Sequence, residues 1–594
     1  ADTVPSGSAQ SVLGEAVFAL LLADVIDINA ERARLQKEIG KTEGEIKKLS
    51  GKLSNEGFLA KAPEDVVAEN RARLSEEEHR SILLIEAGPR FSNPLVSIPA
   101  AVGMLWRYRF FDWGLNSVSA NGLSSRSIEI MRGKILGGSS AINAMTHVRG
   151  APQDYENWAA KGLKNWSYAN VLPYFRTTEN WIGRPSVLRG SGGPVQVAPA
   201  ATDDPLFDGW LRVAEQAGYP LLDDYNALSQ NDQLYGFGRS QQTISKGRRV
   251  TARNAYLDKI YHRKNLTILT KTKALRIHLK KDYNGEPRVK GVELGLANNS
   301  NAWTVEAADQ IISCAGAVMT PHLLMHSGIG PERSMRNKGI DLIVNAPGVG
   351  QNYQDHLAVQ LKYLRIKSGP FHAQMRCDRA TRNFLEALSL GRGPFSILPS
   401  GIHGFLPAQV SSVRPMLQFL FRGAPSNASP WLPIVSRGYQ DGYGIRPVLL
   451  HPESRGRIRL LSADPHDLPL IEGNYLEREQ DLDNLIYGVE IAQSLAQQSA
   501  MLPFNGGALD EIGSTHEEKA SWVRQNAITT HHPCGTCAMG IDDEQPLNSD
   551  FSVKGVRGLY VVDASAMPEI ISGNINACVY MMAEKAASEI FKHL

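Results

Sequence analysis

The chain has 594 residues, 42% of them hydrophobic, with 53 Gly and 32 Pro, the texture of an ordinary globular protein of several domains. Lys and Arg number 63 against 61 Asp and Glu, a formal net charge of +2, which excludes a bulk electrostatic case for strong binding to nucleic acid or an anionic membrane. Five cysteines in this length make no disulfide scaffold, so a reducing, cytoplasmic setting is the default expectation.

The first apolar run, Ala16 to Ala23, is bounded by Glu15 and Asp24. It is too short to span a bilayer and lacks the basic region of a signal peptide. From Ile28 onward, Leu35, Ile39, Ile46, Leu49 and Leu53 recur at spacings of seven, four, seven, three and four. That is the apolar seam of a coiled-coil helix. "LSNEGFLAKAP" then breaks the pattern at Gly57, and Pro63 suits the first turn of a second, charged helix reaching Glu78. The reading predicts an αα-hairpin over residues 1–75, able to pair within itself or between chains.

After residue 80 the texture changes to Gly-rich turns and short apolar strands. "RSILLIEAGPR", Arg80 to Arg90, reads as a buried parallel strand ending in Glu86. An acid there hydrogen-bonds a cofactor ribose in dinucleotide-binding βαβ units, about 20 residues after a GxGxxG turn. Counting back reaches residues 57–66, where no such motif stands, nor does one occur anywhere in residues 1–85. Further strands are expected at Leu266–Thr270, Gln310–Gly316 and Leu559–Ser565, two of them running straight into helical patterns, which suggests an α/β domain. The Pro- and aromatic-rich stretch 395–450 reads as part of a second domain, so the first is discontinuous in sequence.

Four stretches carry candidate chemistry. "RGKILGGSSAINAMTHVRG" (Arg132–Gly150) offers Gly137 and Gly138, whose N–H groups can face a phosphate, and Asn143, which can bond a ring edge; an ordinary tight turn explains the glycines equally well. "GAVMTPHLLMHSGIGP" (Gly316–Pro331) looks like a turn, a Pro-led helix and a Gly stop. "HHPCGTCAMG" (His531–Gly540) offers a histidine as general base. Its Cys534-x-x-Cys537 has no second Cys pair and no matching ligand spacing, so no metal is expected. "VVDASAMPEIISGNINACVYMMAEKAASEI" (Val561–Ile590) ends a strand in Asp563, a helix cap or a cofactor ligand. It then presents Asn574 and Asn576 before an amphipathic helix.

Taken together and in this order, these motifs resemble the glucose–methanol–choline family of flavin-dependent alcohol oxidoreductases from about Leu74 to the C-terminus. "GVGQNYQDHL" (Gly348–Leu357) and "HPESRGRIRLLSADP" (His451–Pro465) look like further landmarks. The resemblance implies an α/β, Rossmann-like FAD-binding domain from residues 76–185, 245–360 and 525–594. It also implies an α+β substrate domain with an antiparallel sheet from 186–244 and 361–524. His532 would be the catalytic histidine and Asn574 its partner. Glu86 would bind the adenosine ribose of FAD, with Gly137, Gly138, Asn143, Asp563, Ala564 and Asn576 lining the remainder. The position that carries FAD covalently in some members is Ile142 here, so the cofactor is expected to be non-covalent. His147 stands where the family has an aromatic or Ala, a substrate-facing variation or packing.

Residues 1–75 are similar instead to the C-terminal coiled-coil arm of valyl-tRNA synthetase, including the "KLSNEGFLAKAP" turn. The reading is therefore a chimera lacking the family's first strand and phosphate loop, with doubtful FAD occupancy. The implied reaction is oxidation of a primary alcohol to an aldehyde, with oxygen or a quinone as acceptor. Two other readings stay open: an inactive chain whose hairpin only self-associates or binds a partner, and a flavin-dependent lyase or photodecarboxylase on the same fold.

Overall fold

The computed structural model describes residues 8–13, 16–21, 81–90, 93–296, 302–307, 309–407, 413–425, 427–432 and 438–590. They divide into two units, one of residues 1–84 with 262–267 and one of 85–261 with 268–594.

In the first unit, Ser8–Leu13 and Ala16–Leu21 pair antiparallel in the register Leu13↔Ala16 to Ser8↔Leu21. This corrects the helical reading of residues 1–75 over that span. Only Gly14 and Glu15 separate the paired residues, and Gly at the first position of a two-residue loop favours a hairpin, flanked here by Val12, Val17 and Phe18. The coiled-coil seam from Ile28 onward, the turn at Gly57 and the second helix lie outside the described residues.

The second unit is built on a nine-stranded sheet. Its main path runs Asn505–Ala508, Leu361–Arg365, Gly442–Leu449, Leu417–Arg422, Ser400–Leu406, Gly236–Arg239 and Leu221–Leu222. Period-2 alternation explains its two faces. Leu417, Phe419 and Phe421 point one way into the main core with Tyr443, Ile445 and Trp210. Gln418, Leu420 and Arg422 point the other way. Helix Glu479–Ala496 buries Leu482, Leu485, Ile486 and Val489 in the same core. The sheet's pairs are antiparallel, as the sequence predicts for the second domain, except that Leu221–Leu222 runs parallel to Gly236–Arg239.

The nucleotide-type strands appear among the described residues as two-stranded pieces. Ile311–Ser313 runs parallel to Leu559–Val561. Ile82–Ile85 pairs with Leu266–Leu269, and Glu86 N–H donates to Leu269 O at 2.8 Å. Such apolar strands read as covered on both faces, yet Ile82 is 49% and Ile312 40% exposed.

The helix Gly316–His326 differs from its sequence reading. Pro321 lies inside it rather than leading it. A mid-helix proline removes the N–H that would bond the carbonyl four residues back. That carbonyl, Ala317 O, instead accepts from Thr536 Oγ1 at 2.5 Å, so Thr536 of "HHPCGTCAMG" replaces the missing donor.

Candidate active site

The centre forms where two motifs run side by side. Leu357 pairs with Thr529 and Ala358 with Ile528, and Gln354 bridges to Cys534. Between these fixed points one chain takes three steps, 354 to 357, and the other five, 529 to 534. The surplus is a bulge, a device that re-aims side chains beside active sites. His531 and His532 occupy it, and His531 holds φ 64°, a left-handed conformation uncommon for a non-glycine residue.

The bulge separates the two histidines. His531 Nδ1 accepts from Met131 N–H at 3.3 Å, and its ring packs edge-on to Trp106, centroids 6.3 Å apart. The Arg132 guanidinium donates to His531 O. His532 faces Asn574, with His532 Nε2 and Asn574 Nδ2 3.1 Å apart. Its backbone is pinned by Asp355, whose Oδ1 accepts His532 N–H at 2.8 Å and whose Oδ2 accepts Thr529 Oγ1–H at 2.5 Å. Burial raises the Asp355 carboxyl to about 6, against the lowering pull of these bonds.

A chain of hydrogen bonds fixes the proton positions. His356 Nε2 lies 3.0 Å from Leu450 O. A carbonyl only accepts, so Nε2 carries the hydrogen. Burial holds the His356 ring neutral, its pKa down at about 3, which leaves Nδ1 an acceptor. His532 Nδ1, 3.0 Å away, must then be the donor. Thr530 Oγ1 sits 2.9 Å from the same His532 Nδ1 and can receive it too, because its own hydroxyl hydrogen goes to His356 O at 3.2 Å. His532 Nε2 is therefore a bare lone pair facing Asn574 Nδ2–H. Burial, with His356, Arg132 and His531 nearby, keeps His532 well below the ordinary imidazole range. Gln418 Nε2 donates to Asn574 Oδ1 at 3.4 Å and sets the amide's direction.

The predicted cofactor residues fall into two kinds. Some leave room for a ligand. Gly138 has φ +57° and nothing within 4 Å of where a Cβ would stand, an open cradle suited to close backbone approach. The half-buried Glu86 keeps one carboxylate oxygen on Gly88 N–H at 2.7 Å, and burial raises its pKa. Asn576 opens the helix Asn576–Ile590. Others are engaged by the protein. Asp563 accepts from Gly316 N–H and Thr320 Oγ1–H through one oxygen, at 2.9 and 2.6 Å, and from Ser565 N–H through the other at 2.8 Å. Ala564 O accepts Gly535 N–H at 3.1 Å, tying the strand end to the histidine loop. Asn143 Oδ1 accepts from Met145 N–H and Arg249, both at 2.9 Å, while Gly137 caps the short turn Gly138–Ala141. Of the two glycines only Gly138 leaves open space, since a Cβ at Gly137 would meet Arg253 Cβ at 3.3 Å.

His147 proves to be packing. It is buried, and its Nε2 lies 3.6 Å from Glu179 within an Arg149–Glu179–Arg189 cluster. Cys534 and Cys537 are fully buried, and burial pushes both thiols up. The sequence reading quoted His356 within "GVGQNYQDHL" without giving it a role, and it passed over Gln418 and Thr530. The Asp-His pair in that landmark was the available signal for the first; strand register alone brings in Gln418.

Comparison with known proteins shows the family. The GMC oxidoreductase family matches residues 51–358 with its N-terminal model and 452–583 with its C-terminal model. The chain is 34% identical over 522 residues to an oxygen-dependent choline dehydrogenase of Brucella canis, covering 87% of this chain and 92% of that one. The corresponding protein of Ectopseudomonas mendocina is 35% identical over 525 residues, covering 87% and 91%. Among solved structures, pyridoxine 4-oxidase from Mesorbium loti superposes with a TM-score of 0.76 at 29% identity, covering 88% of this chain and 96% of that one. Formate oxidase from Aspergillus oryzae shares the fold, with a TM-score of 0.79 at 23% identity over 88% and 95%.

Proposed function

Since the chain belongs to the GMC oxidoreductase family, whose members are FAD-dependent, we propose that its second unit is built to oxidise a primary alcohol to an aldehyde. The carrying observation is the bare Nε2 of His532, 3.1 Å from Asn574 Nδ2. An alcohol oxygen set beside this pair, within reach of both nitrogens and replacing their mutual hydrogen bond, gives its proton to His532 and receives a hydrogen bond from Asn574, which stabilises the alkoxide as it forms. His356 and Thr530 accept the opposite ring N–H, so the ring keeps its tautomer and, once protonated, its added charge is shared toward them. Asp355 holds the loop so that the base does not swing away. FAD, when bound, supplies the hydride acceptor.

Glu86, Gly137, Gly138, Asn143, Asp563, Ala564 and Asn576 are the residues that would hold it, non-covalently. The pyrophosphate end is the weak point. No GxGxxG stands at the required spacing before Glu86, and the apolar residues Ile82 and Ile312 are exposed on strands of that region. On this reading the catalytic groups are complete and FAD retention is poor. The test is anaerobic addition of primary alcohols to FAD-supplemented protein. Bleaching of the flavin spectrum that is lost in His532→Ala supports the reading; bleaching unaffected by that substitution removes His532 as the base. Bound flavin that no alcohol reduces would favour the lyase or photodecarboxylase alternative.

A further inference from the structure

The face of the antiparallel sheet that supplies Gln418 to Asn574 carries two arginines that the catalytic scheme does not use. In Leu417–Arg422 the side chains of Gln418, Leu420 and Arg422 share that face. Across the pairing, Leu420 stands opposite Arg446 and Arg422 opposite Gly444. At about 3.4 Å per residue, Arg446 lies roughly 7 Å along the sheet from the Gln418 row and Arg422 roughly twice as far. Both therefore share the sheet face from which Gln418 reaches Asn574.

Neither guanidinium has an acidic partner among the described residues. The Arg446 Nε–H bonds Gln360 Oε1 at 3.0 Å, and Arg422 meets only the face of Trp106, 5.8 Å from its centroid. Trp106 in turn packs against His531, the chain neighbour of His532, so the arginines lie toward the histidine loop. Other arginines in this unit show what satisfaction looks like: Arg365 holds Asp204 through two bonds of 2.7 Å, and Arg149 and Arg189 share Glu179. Burial lowers Arg422, and burial with Arg422 nearby lowers Arg446 well below the ordinary guanidinium range. Two partly buried cations beside one another are costly unless an anion joins them.

We infer that the substrate supplies that anion: the site takes a primary alcohol bearing a carboxylate, with Arg446 and then Arg422 as its recognition groups. The inference rests on the alcohol-oxidation reading for the other end of the substrate. Planar guanidinium donors match a carboxylate in paired, charge-assisted hydrogen bonds. The separation along the sheet suits a hydroxymethyl group and a carboxylate held apart by about one benzene ring. A cation such as choline, named for the curated relatives, would meet repulsion here instead.

Calorimetric titration of the purified full chain with para-hydroxymethylbenzoate and with its uncharged amide isostere tests this directly. The carboxylate should bind at least about tenfold more tightly, as expected for a charge-assisted pair, and the advantage should shrink in salt. Arg446→Gln should collapse the ratio between the two ligands, and Arg446→Lys should restore part of it; Arg422→Met should lower it less. Circular dichroism melting checks that each variant is folded. Equal affinities, binding of neither compound, or a ratio intact in both Arg446→Gln and Arg422→Met would overturn the inference. The two readings fail separately. A carboxylate preference in a protein whose flavin no alcohol reduces keeps the anion site and removes the oxidation; alcohol-dependent bleaching without preference does the reverse.

Discussion

The two sheet systems of the second unit make an instructive contrast. In the antiparallel sheet, Phe419, Phe421, Ile445 and Ile402 are completely buried, and the opposite face meets Asn574 through Gln418. In the parallel piece Ile311–Ser313 with Leu559–Val561, two strands pair among the described residues and Ile312 is 40% exposed. Both are written with the apolar residues of covered strands. The difference lies in what arrives beside them. The antiparallel sheet is itself joined by strands far apart in sequence, Leu361–Arg365 pairing with Gly442–Leu449 and Asn505–Ala508, yet each of these strands finds its neighbours, whereas the parallel strands need crossovers from elsewhere in the chain. On the proposed reading, a change in sequence far from His532 leaves the base and its partner assembled while weakening the nucleotide end.

Four experiments break or sharpen this contrast. The largest effect belongs to the complete side: His532→Ala should lower the rate of alcohol-dependent flavin reduction by roughly a hundred- to ten-thousandfold, measured by stopped-flow with FAD in excess, while FAD affinity stays where it was. If FAD affinity fell equally, the two ends would not be independent. Next is Glu179→Ala. Its carboxylate is fully buried between Arg149 and Arg189; removing it leaves Arg149 without an acidic partner among the described residues while Arg189 keeps Asp224 at 2.8 Å, and should cost about 3–5 kcal/mol in urea unfolding. A cost below about 1 kcal/mol would show that this unit is looser than its burial implies.

His356→Gln is a milder probe. It disturbs the acceptor for His532 Nδ1–H, so kcat should fall about tenfold with little change in KM. A larger KM effect would place His356 against the substrate rather than behind the base. The smallest effect is in acid. Burial holds His147, His356, His403 and His531 at about 3 and His326 at about 4. Their pKa values are lower folded than unfolded, so the unfolded chain binds more protons below the ordinary imidazole value near 6.5. The stability they contribute is present above that value and is lost as pH falls below it. Asp154 and Asp355, raised to about 6, act in the opposite sense over about pH 4–6, and the histidines outnumber them. The Tm should therefore drop by several degrees between pH 7 and 5, read by differential scanning calorimetry; a flat profile would mean that these rings meet water.

Much of the site was legible because its motifs are local. "HHPCGTCAMG" and the loop presenting Asn574 declare a histidine and an amide among small residues, and the structure brings His532 and Asn574 together. The expectation of an antiparallel second domain also agrees with the sheet through Leu417–Arg422 and Gly442–Leu449. What stayed hidden depends on register. Nothing in one strand's sequence says that Gln418 faces Asn574, or that Leu420 sits opposite Arg446. Nor does local sequence reveal that Thr536 would replace the donor lost at Pro321, which made that proline look like a helix start. The hairpin at residues 8–21 was missed for another reason. A helical seam beginning at Ile28 was extended back over Val12, Val17 and Phe18, whose own preference is for strands.

The most direct measurement is the visible absorption spectrum of the protein taken twice, after desalting and again with excess FAD followed by a primary alcohol. A complete catalytic end beside a weak nucleotide end predicts well under one flavin per chain after desalting, yet bleaching by alcohol once FAD is supplied. One flavin per chain surviving desalting would contradict the weak nucleotide end, and supplied FAD that never bleaches would contradict the complete catalytic one.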